Sequence, residues 1–385
     1  MKTKKLLLPV TMALAFFLGF EAGGFQLALL KVSLEYSIAS KWMGGLVAVQ
    51  YTAIIIFPLL LGRLSDRIGK KTVLLMFVAT FMAGCLTVVS IPHLAGFIVG
   101  IFVLGAGFSM SEATFTAAIA DMYGKQQGKY HNLVQAFFCM GAMSGPIASD
   151  YAIQNYGFSW HVVFVACGTA YAVIFVLILF TEFAEVAPAA ESLHPGAARH
   201  SYWILATPVL ASLLVAITMY VAMENGFAFF FDLLFVQKLG APELSASAIS
   251  LFWLAMMLGR LLGSLLHRYE KTVIRVLFLC VSVFSVAIAL SSNPMLSLVL
   301  CFVLGFSHGP IWPFIISLTA KEYPQDTGLA AGFMMAGSGA GGALSPILMG
   351  YLAGIFGIQY SFFMLSLVAV CGFFAALKYH RLKKA

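Results

Sequence analysis

Two stretches decide the architecture: "VLGAGFSMSEATFTAAIADMYGKQQG", residues 103–128, and "VLGFSHGPIWPFIISLTAKEYPQDTG", residues 303–328. Both open on VLG, pair Tyr123 with Tyr323, and end on Gly128 and Gly328, all at a spacing of 200. The correspondence continues outward: "GAMSGPI" from Gly141 matches "GGALSPI" from Gly341, "GRL" at Gly62 recurs at Gly259, and "KTV" at Lys71 recurs at Lys271. "EAGGF" at Glu21 has a looser echo in "ENGF" at Glu224. Five matches in one order at nearly one spacing point to a duplicated unit, because internal repeats of this kind mark repeated architecture.

The repeated unit is apolar. Of 385 residues, 61% are hydrophobic and 10% charged, and the mean hydropathy is +0.97. Soluble domains are roughly 25% charged, so lipid is the expected solvent for most of this surface. About 20 apolar residues cross a bilayer core as a helix. Twelve such runs occur, at about 6–30, 41–62, 72–91, 95–122, 130–152, 159–181, 201–225, 245–266, 272–291, 294–319, 328–352 and 358–378. They are continuous, without the alternation of a transmembrane barrel. The basic start "MKTKKLLLPV" lacks a small-residue cleavage site, so it reads as a retained first helix. The expected fold is an all-α membrane protein: two pseudo-symmetric six-helix bundles, 1–182 and 201–385, joined by the polar linker 183–200.

With the N-terminus inside, 19 of the 22 Lys and Arg fall on the cytoplasmic side, and only Lys31, Lys41 and Lys238 lie outside. Basic residues stay cytoplasmic, so both termini are expected there, in a cytoplasmic (inner) membrane. This placement accounts for the net charge of +7, and with no basic patch interleaved with aromatics, nucleic acid is not an expected partner. The six cysteines all sit in apolar runs with no C-x-x-C pair and read as small hydrophobes. No catalytic set, metal-ligand cluster or phosphate loop is present, so neither enzyme chemistry, a metal nor a cofactor is expected.

Two six-helix repeats suggest a carrier holding a small solute at midmembrane, between halves that rock. Ionisable residues at that depth are functional hypotheses, because each costs about 2.5–3.5 kcal/mol to insert. Three acids lie deep: Glu21, Glu112 and Glu224. Arg260 and Arg275, near inner ends, are expected to snorkel outward, which leaves the acids without a fixed cation. Desolvation favours the neutral form of a carboxyl, and a carboxyl able to hold or release a proton is what proton coupling requires. The competing reading is a permanently protonated acid that bonds a neighbouring helix. Gln26, Gln135 and Asn225 offer amides to a hydroxylated solute. Trp312, at the repeat position of Glu112, offers a stacking face, although an aromatic there also suits packing. His308 reads equally as a second proton carrier or a satisfied core residue.

The loop "GRLSDRIGKK", Gly62–Lys71, resembles the signature of the major facilitator superfamily, G-x-x-x-D-R/K-x-G-R/K-R/K, in motif and in place. The resemblance implies a twelve-helix carrier; because Gly62 admits a close helix, Gly69 a tight turn and Asp66 charge-assisted bonds, Gly62, Asp66, Arg67, Gly69, Lys70 and Lys71 read as a conformational latch, the competing reading being a basic loop that only sets topology. The second copy, "GRLLGSLLHRYEK", lacks the aspartate. Glu21, Glu112 and Gln135 further resemble the fucose/galactose/glucose–proton symporters, which carry acids in helices 1 and 4 and amides in helix 5. "GPIWP" in helix 10 looks like that group as well. The implied function is proton-coupled import of a small hydroxylated solute such as a sugar, by a monomer in the bilayer. "GAMSGP" partly resembles the helix 5 motif of drug–proton antiporters, with Ser149 and Asp150 where that motif has glycines; export of drugs or metabolites is the alternative. The topology has a direct check: a carboxy-terminal green fluorescent protein fusion is expected to fluoresce, and an alkaline phosphatase fusion at the same place to be inactive.

Overall fold

The computed structural model describes residues 7–61, 64, 68–123, 127–181, 207–323 and 327–383. Among them are helices and short connections and no strand. The helices are α1 Leu7–Glu35, α2 Ser40–Leu61, α3 Lys70–Ser90, α4 Leu94–Tyr123, α5 Gln127–Tyr156 and α6 Val162–Leu179. They continue with α7 Pro208–Leu233, α8 Ser245–Gly263, α9 Glu270–Leu290, α10 in two segments (Pro294–His308 and Ile311–Glu322), α11 Thr327–Phe356 and α12 Ile358–Leu382. Among the described residues, eleven spans are apolar enough to cross a membrane by length and composition. The twelfth helix, α5, is equally long at 30 residues but more polar, because it carries Lys129, His131 and Gln135.

The 200-residue spacing reappears in the helices. α3, α4 and α5 start at 70, 94 and 127; α9, α10 and α11 start at 270, 294 and 327. Two sequence expectations shift. α7 starts at Pro208, where the Thr207 hydroxyl accepts from Leu210 N (3.3 Å) and proline takes the first turn, the position that tolerates its missing N–H. It then runs on through a wider turn, Leu234–Lys238. α10 is interrupted at Gly309–Pro310, since proline cannot donate to the preceding turn. The linker 183–200 and latch residues Gly62, Asp66 and Arg67 lie outside the described residues.

α1 packs on α5 so closely that side chains are excluded from the seam. A Cβ on Gly19 or Gly23 would strike the main chain at Phe138 and Ala142, and one on Gly141 or Gly145 the main chain at Phe16 and Phe20. Two small-x-x-x-small ridges therefore interlock, the arrangement that brings helices together where lipid supplies no hydrophobic drive. This seam positions Glu21, which lies between the two α1 glycines. On the face away from Leu7 and Leu382, Gly44 of α2 meets the main chain of Pro346 in α11, and Gly354 meets Lys41. Also towards that face, Phe25 of α1 and Phe229 of α7 meet edge to face at 5.3 Å. The terminal face is tied differently. Glu270 bonds Lys321 Nζ (2.6 Å) and Ser317 Oγ (3.2 Å), and Glu322 accepts from Tyr379 (2.8 Å) and pairs with Lys383.

Gly141→Leu forces a branched side chain into the α1 backbone, an overpacking that costs about 1–3 kcal/mol. The purified variant is expected to melt several degrees lower than Gly141→Ala and to give less monodisperse protein on gel filtration.

Candidate functional site

Polar side chains on six spans converge midway along the bundle. Glu21 of α1 is fully buried. Gln50 of α2 faces it, its Nε2 lying 3.2 Å from each carboxylate oxygen. Gln50 and Tyr51 come from "VAVQYTAIIIF", where an amide and a phenol interrupt an apolar helix. Tyr51 donates across to Asn225 Oδ1 of α7 at 2.5 Å, and Asn225 Nδ2 donates back to Val221 O (3.1 Å). Trp253 of α8 donates from Nε1 to Gln26 Oε1 of α1 at 2.8 Å. These last two bonds link helices from opposite ends of the sequence, so they sit where α1 and α2 meet α7 and α8.

Between them lies a cavity of about 50 Å³, lined by Gln26, Gln50, Tyr51, Glu224, Asn225 and Trp253, with Ala22, Ile54, Phe108, Phe138 and Phe229. One water occupies about 30 Å³, and small-molecule pockets run to about 300–1,000 Å³. The cavity is therefore contracted, and Phe229, which meets Phe25, separates it from the face opposite the termini. Its walls combine aromatic rings, which can cover apolar faces, with a few amides and one acid, which can exchange hydrogen bonds.

The residues singled out in the sequence divide by place. Gln26, Glu224 and Asn225 line the cavity. Glu21 stands one layer behind Gln50. Glu112 of α4 is half-buried, and its Oε1 accepts from Gln135 Nε2 of α5 at 3.3 Å. His308 is fully buried off the cavity, with Nδ1 3.0 Å from Leu304 O and its ring among Tyr220, Phe227 and Phe252. Trp312, half-buried on the second segment of α10, packs against the core. The indole that meets the cavity is Trp253, one of five tryptophans and not separable from a packing residue without its partner Gln26. Gly69 takes φ +88° at the start of α3, and Lys71 Nζ bonds the Leu179 carbonyl at the end of α6 (2.8 Å), where a cation complements the helix C-terminus. Lys70 sits beside it in the first turn. Among the described residues no group of His, Cys, Asp and Glu could hold a metal.

Arg260 departs from expectation. Its guanidinium turns inward, donating to Cys139 Sγ of α5 (3.2 Å), Tyr220 Oη of α7 (3.4 Å) and Met256 Sδ (3.3 Å). Side chains on a helix lean towards its N-terminus, and α8 starts at the opposite face, so this lean carries Arg260 towards the middle of the bundle rather than out to water.

Twelve long helices among the described residues, eleven of them apolar enough to span a membrane, around a polar central cavity define a polytopic membrane carrier. The sequence model of the Major Facilitator Superfamily matches residues 11–328 and 271–385, and the chain belongs to that family: it is a multi-pass transporter of small molecules, not an enzyme. It is 26% identical over 265 residues to the glucose/mannose transporter GlcP of Bacillus subtilis, a match covering 66% of this chain and 65% of that protein, just under two thirds of its length. It is 28% identical over 142 residues to the chloramphenicol resistance protein CraA of Acinetobacter baumannii, covering 37% of this chain and 34% of that protein. Its fold matches the crystal structure of the E. coli fucose:proton symporter FucP, with TM-score 0.71, 16% identity, and 98% and 99% of the two chains covered.

Trp253→Phe keeps the ring and deletes the N–H donated to Gln26. A bound solute would take over that N–H from Gln26, so losing this one hydrogen bond to the solute, about 1 kcal/mol, is expected to raise the half-saturation concentration for counterflow exchange roughly fivefold, while Trp312→Phe leaves it unchanged.

Proposed function

We propose that this transporter imports a small hydroxylated solute, a sugar, together with protons, as a monomer in a cytoplasmic membrane with both termini inside. On this reading, residues 1–182 and 201–385 are the two rocking bundles, 183–200 is the cytoplasmic linker, and the Gly62–Lys71 loop latches the cytoplasmic side. One observation carries the coupling. Glu112 and Gln135 are a half-buried acid–amide pair joining α4 to α5, open enough to exchange a proton yet inside the span.

With the cavity facing outward, Glu112 or Glu21 takes a proton and the solute then binds to Gln26, Asn225 and their neighbours. Neutralising the acid removes the cost of closing a charge into a dry site. The bundles rock, and solute and proton leave inward. The packing of α2 on α11 and of Phe25 on Phe229 fits the inward-facing end of that cycle. The likeness to a glucose/mannose transporter supports a sugar as cargo.

The rival reading is proton-driven export. The partial match to a chloramphenicol resistance protein and the glycine–proline run at Gly141–Pro146 favour it. Proteoliposomes loaded with a pH-sensitive dye separate the two. D-glucose added outside is expected to acidify the lumen, and Glu112→Gln to abolish the acidification while solute exchange continues. Lumenal pH change with lipophilic cations but not with sugars means export; glucose flux without acidification means uncoupled transport; full acidification in both Glu112→Gln and Glu21→Gln removes the acids from the scheme.

A further inference from the structure

Among the described residues, four amide side chains are hydrogen-bonded in the middle of the bundle, and their partners divide them by chemistry. Gln26 accepts at Oε1 from the Trp253 indole (2.8 Å), a group that can only donate, so its carbonyl end is fixed. Asn225 accepts at Oδ1 from Tyr51 (2.5 Å) and donates from Nδ2 to the Val221 carbonyl (3.1 Å), which can only accept, so both its ends are fixed. Gln135 meets a carboxyl, Glu112, away from the cavity lining. Gln50 alone of the four both lines the cavity and has a carboxyl as its partner.

That partner can change polarity. Glu21 is fully buried, and Gln50 Nε2 lies 3.2 Å from each of its oxygens. An ionised carboxyl only accepts, whereas a protonated one carries an O–H donor. An N–H group shared between both oxygens suits the ionised form. It leaves Oε1 as the amide end turned to the cavity, where no described residue donates to it. Once Glu21 is protonated, its O–H needs an acceptor, and Gln50 Oε1 supplies one by a half-turn of the amide. The turn brings Nε2 to the cavity side. It costs little, because the last torsion of a glutamine is broad and roughly two-fold. The stem stays in place against α4: a Cβ on Gly105 would lie 3.1 Å from Gln50 Cγ and 2.6 Å from its main-chain oxygen. The other titratable or charged groups around this place are Tyr51 of α2, Cys85 of α3, Glu112 of α4, Cys139 of α5, Cys167 and Tyr171 of α6, Glu224 of α7 and Arg260 of α8. None of them is hydrogen-bonded to Glu21 or Gln50.

We infer that Gln50 is a specificity-determining residue that relays the proton on Glu21 to the solute: with Glu21 ionised it offers the cavity a carbonyl oxygen, and with Glu21 protonated it offers an N–H. A solute hydroxyl rotates to suit either state. An ether oxygen or a fluorine, which can only accept, is bound at Gln50 only while Glu21 holds its proton. The choice of a sugar as probe, and of Glu21 as a proton carrier, rests on the symport reading; the geometry of the amide turn does not.

The test uses purified full-length protein in proteoliposomes. Exchange of labelled D-glucose is competed by its monodeoxyfluoro analogues, each with one hydroxyl replaced by fluorine, at acidic and at alkaline pH. For one analogue, the inhibition constant relative to D-glucose is expected to be roughly fivefold or more higher at alkaline pH, the loss of about one hydrogen bond, and close to equal at acidic pH. This dependence is expected to vanish in Gln50→Leu and in Glu21→Gln and to persist in Glu112→Gln. A ratio independent of pH for every analogue, or a dependence that survives in Gln50→Leu, overturns the relay. A second arm needs no solute. In proton-induced infrared difference spectra, a carboxyl band lost in Glu21→Gln is expected to titrate together with a glutamine amide band lost in Gln50→Leu. A carboxyl band that titrates without an amide band overturns the turn. If Gln50→Leu does not fold, Gln50→Met keeps the chain length and serves in both arms. Absence of D-glucose exchange by the wild-type protein counts against the sugar reading, and the infrared arm then decides the relay. Glucose flux without acidification, with analogue discrimination still following pH, removes the symport reading and leaves the relay standing.

Discussion

A charge inside an apolar slab must find a partner, and this constraint organises the centre of the molecule. Hydrocarbon offers no water to a carboxylate or a guanidinium, and three deep ionisable groups take polar neighbours from another helix. Glu21 takes Gln50, Glu112 takes Gln135, and Arg260 takes Cys139 and Tyr220. These pairings are directional and short, and they need helices at fixed rotation and depth. The interlocked glycines of α1 and α5 meet that demand, because backbone contact leaves little freedom for one helix to rotate or slide on the other.

The same constraint separates the two kinds of contact between helices. Glycine seams and aromatic edges join helices at the face opposite the termini. Acid–base pairs hold the terminal face, where Glu270 and Glu322 meet Lys321 and Lys383 near water. In these pairs the lysine heads reach solvent while the carboxylates are largely buried. Between the two faces, the amide and aromatic groups around the 50 Å³ cavity are bonded to one another. A solute must displace bonds such as Tyr51–Asn225 and Trp253–Gln26 and replace them with its own. On the proposed reading the site favours hydroxyl-bearing molecules, because a ligand without hydroxyls would leave those groups unpaired.

Much of this was legible in the residues, for identifiable reasons. Lipid-spanning helices are long and apolar, so hydropathy located most helices to within a few residues, even α5 with its polar first third, while α7 begins seven residues later than expected and ends eight later. The duplication was visible because helix starts keep a 200-residue offset. Deep acids stand out against an apolar background, which singled out Glu21, Glu112 and Glu224. Gln50 and Tyr51 carried a similar signal, as polar groups inside an apolar run, though a weaker one. Trp253 carried none, since an indole in a helix equally suits packing.

The amino-acid sequence by itself determined that the chain spans a membrane twelve times in two related units and that three acids lie at depth. Both follow from local composition, which needs no knowledge of neighbours. Only the tertiary structure decided which of those groups meet. Whether Glu21 faces Gln50, whether His308 lies in an aromatic pocket or on the cavity, and whether Arg260 turns outward or inward all depend on helix rotation. That rotation is settled by contacts between residues as far apart as Gln26 and Trp253, and no local pattern encodes it.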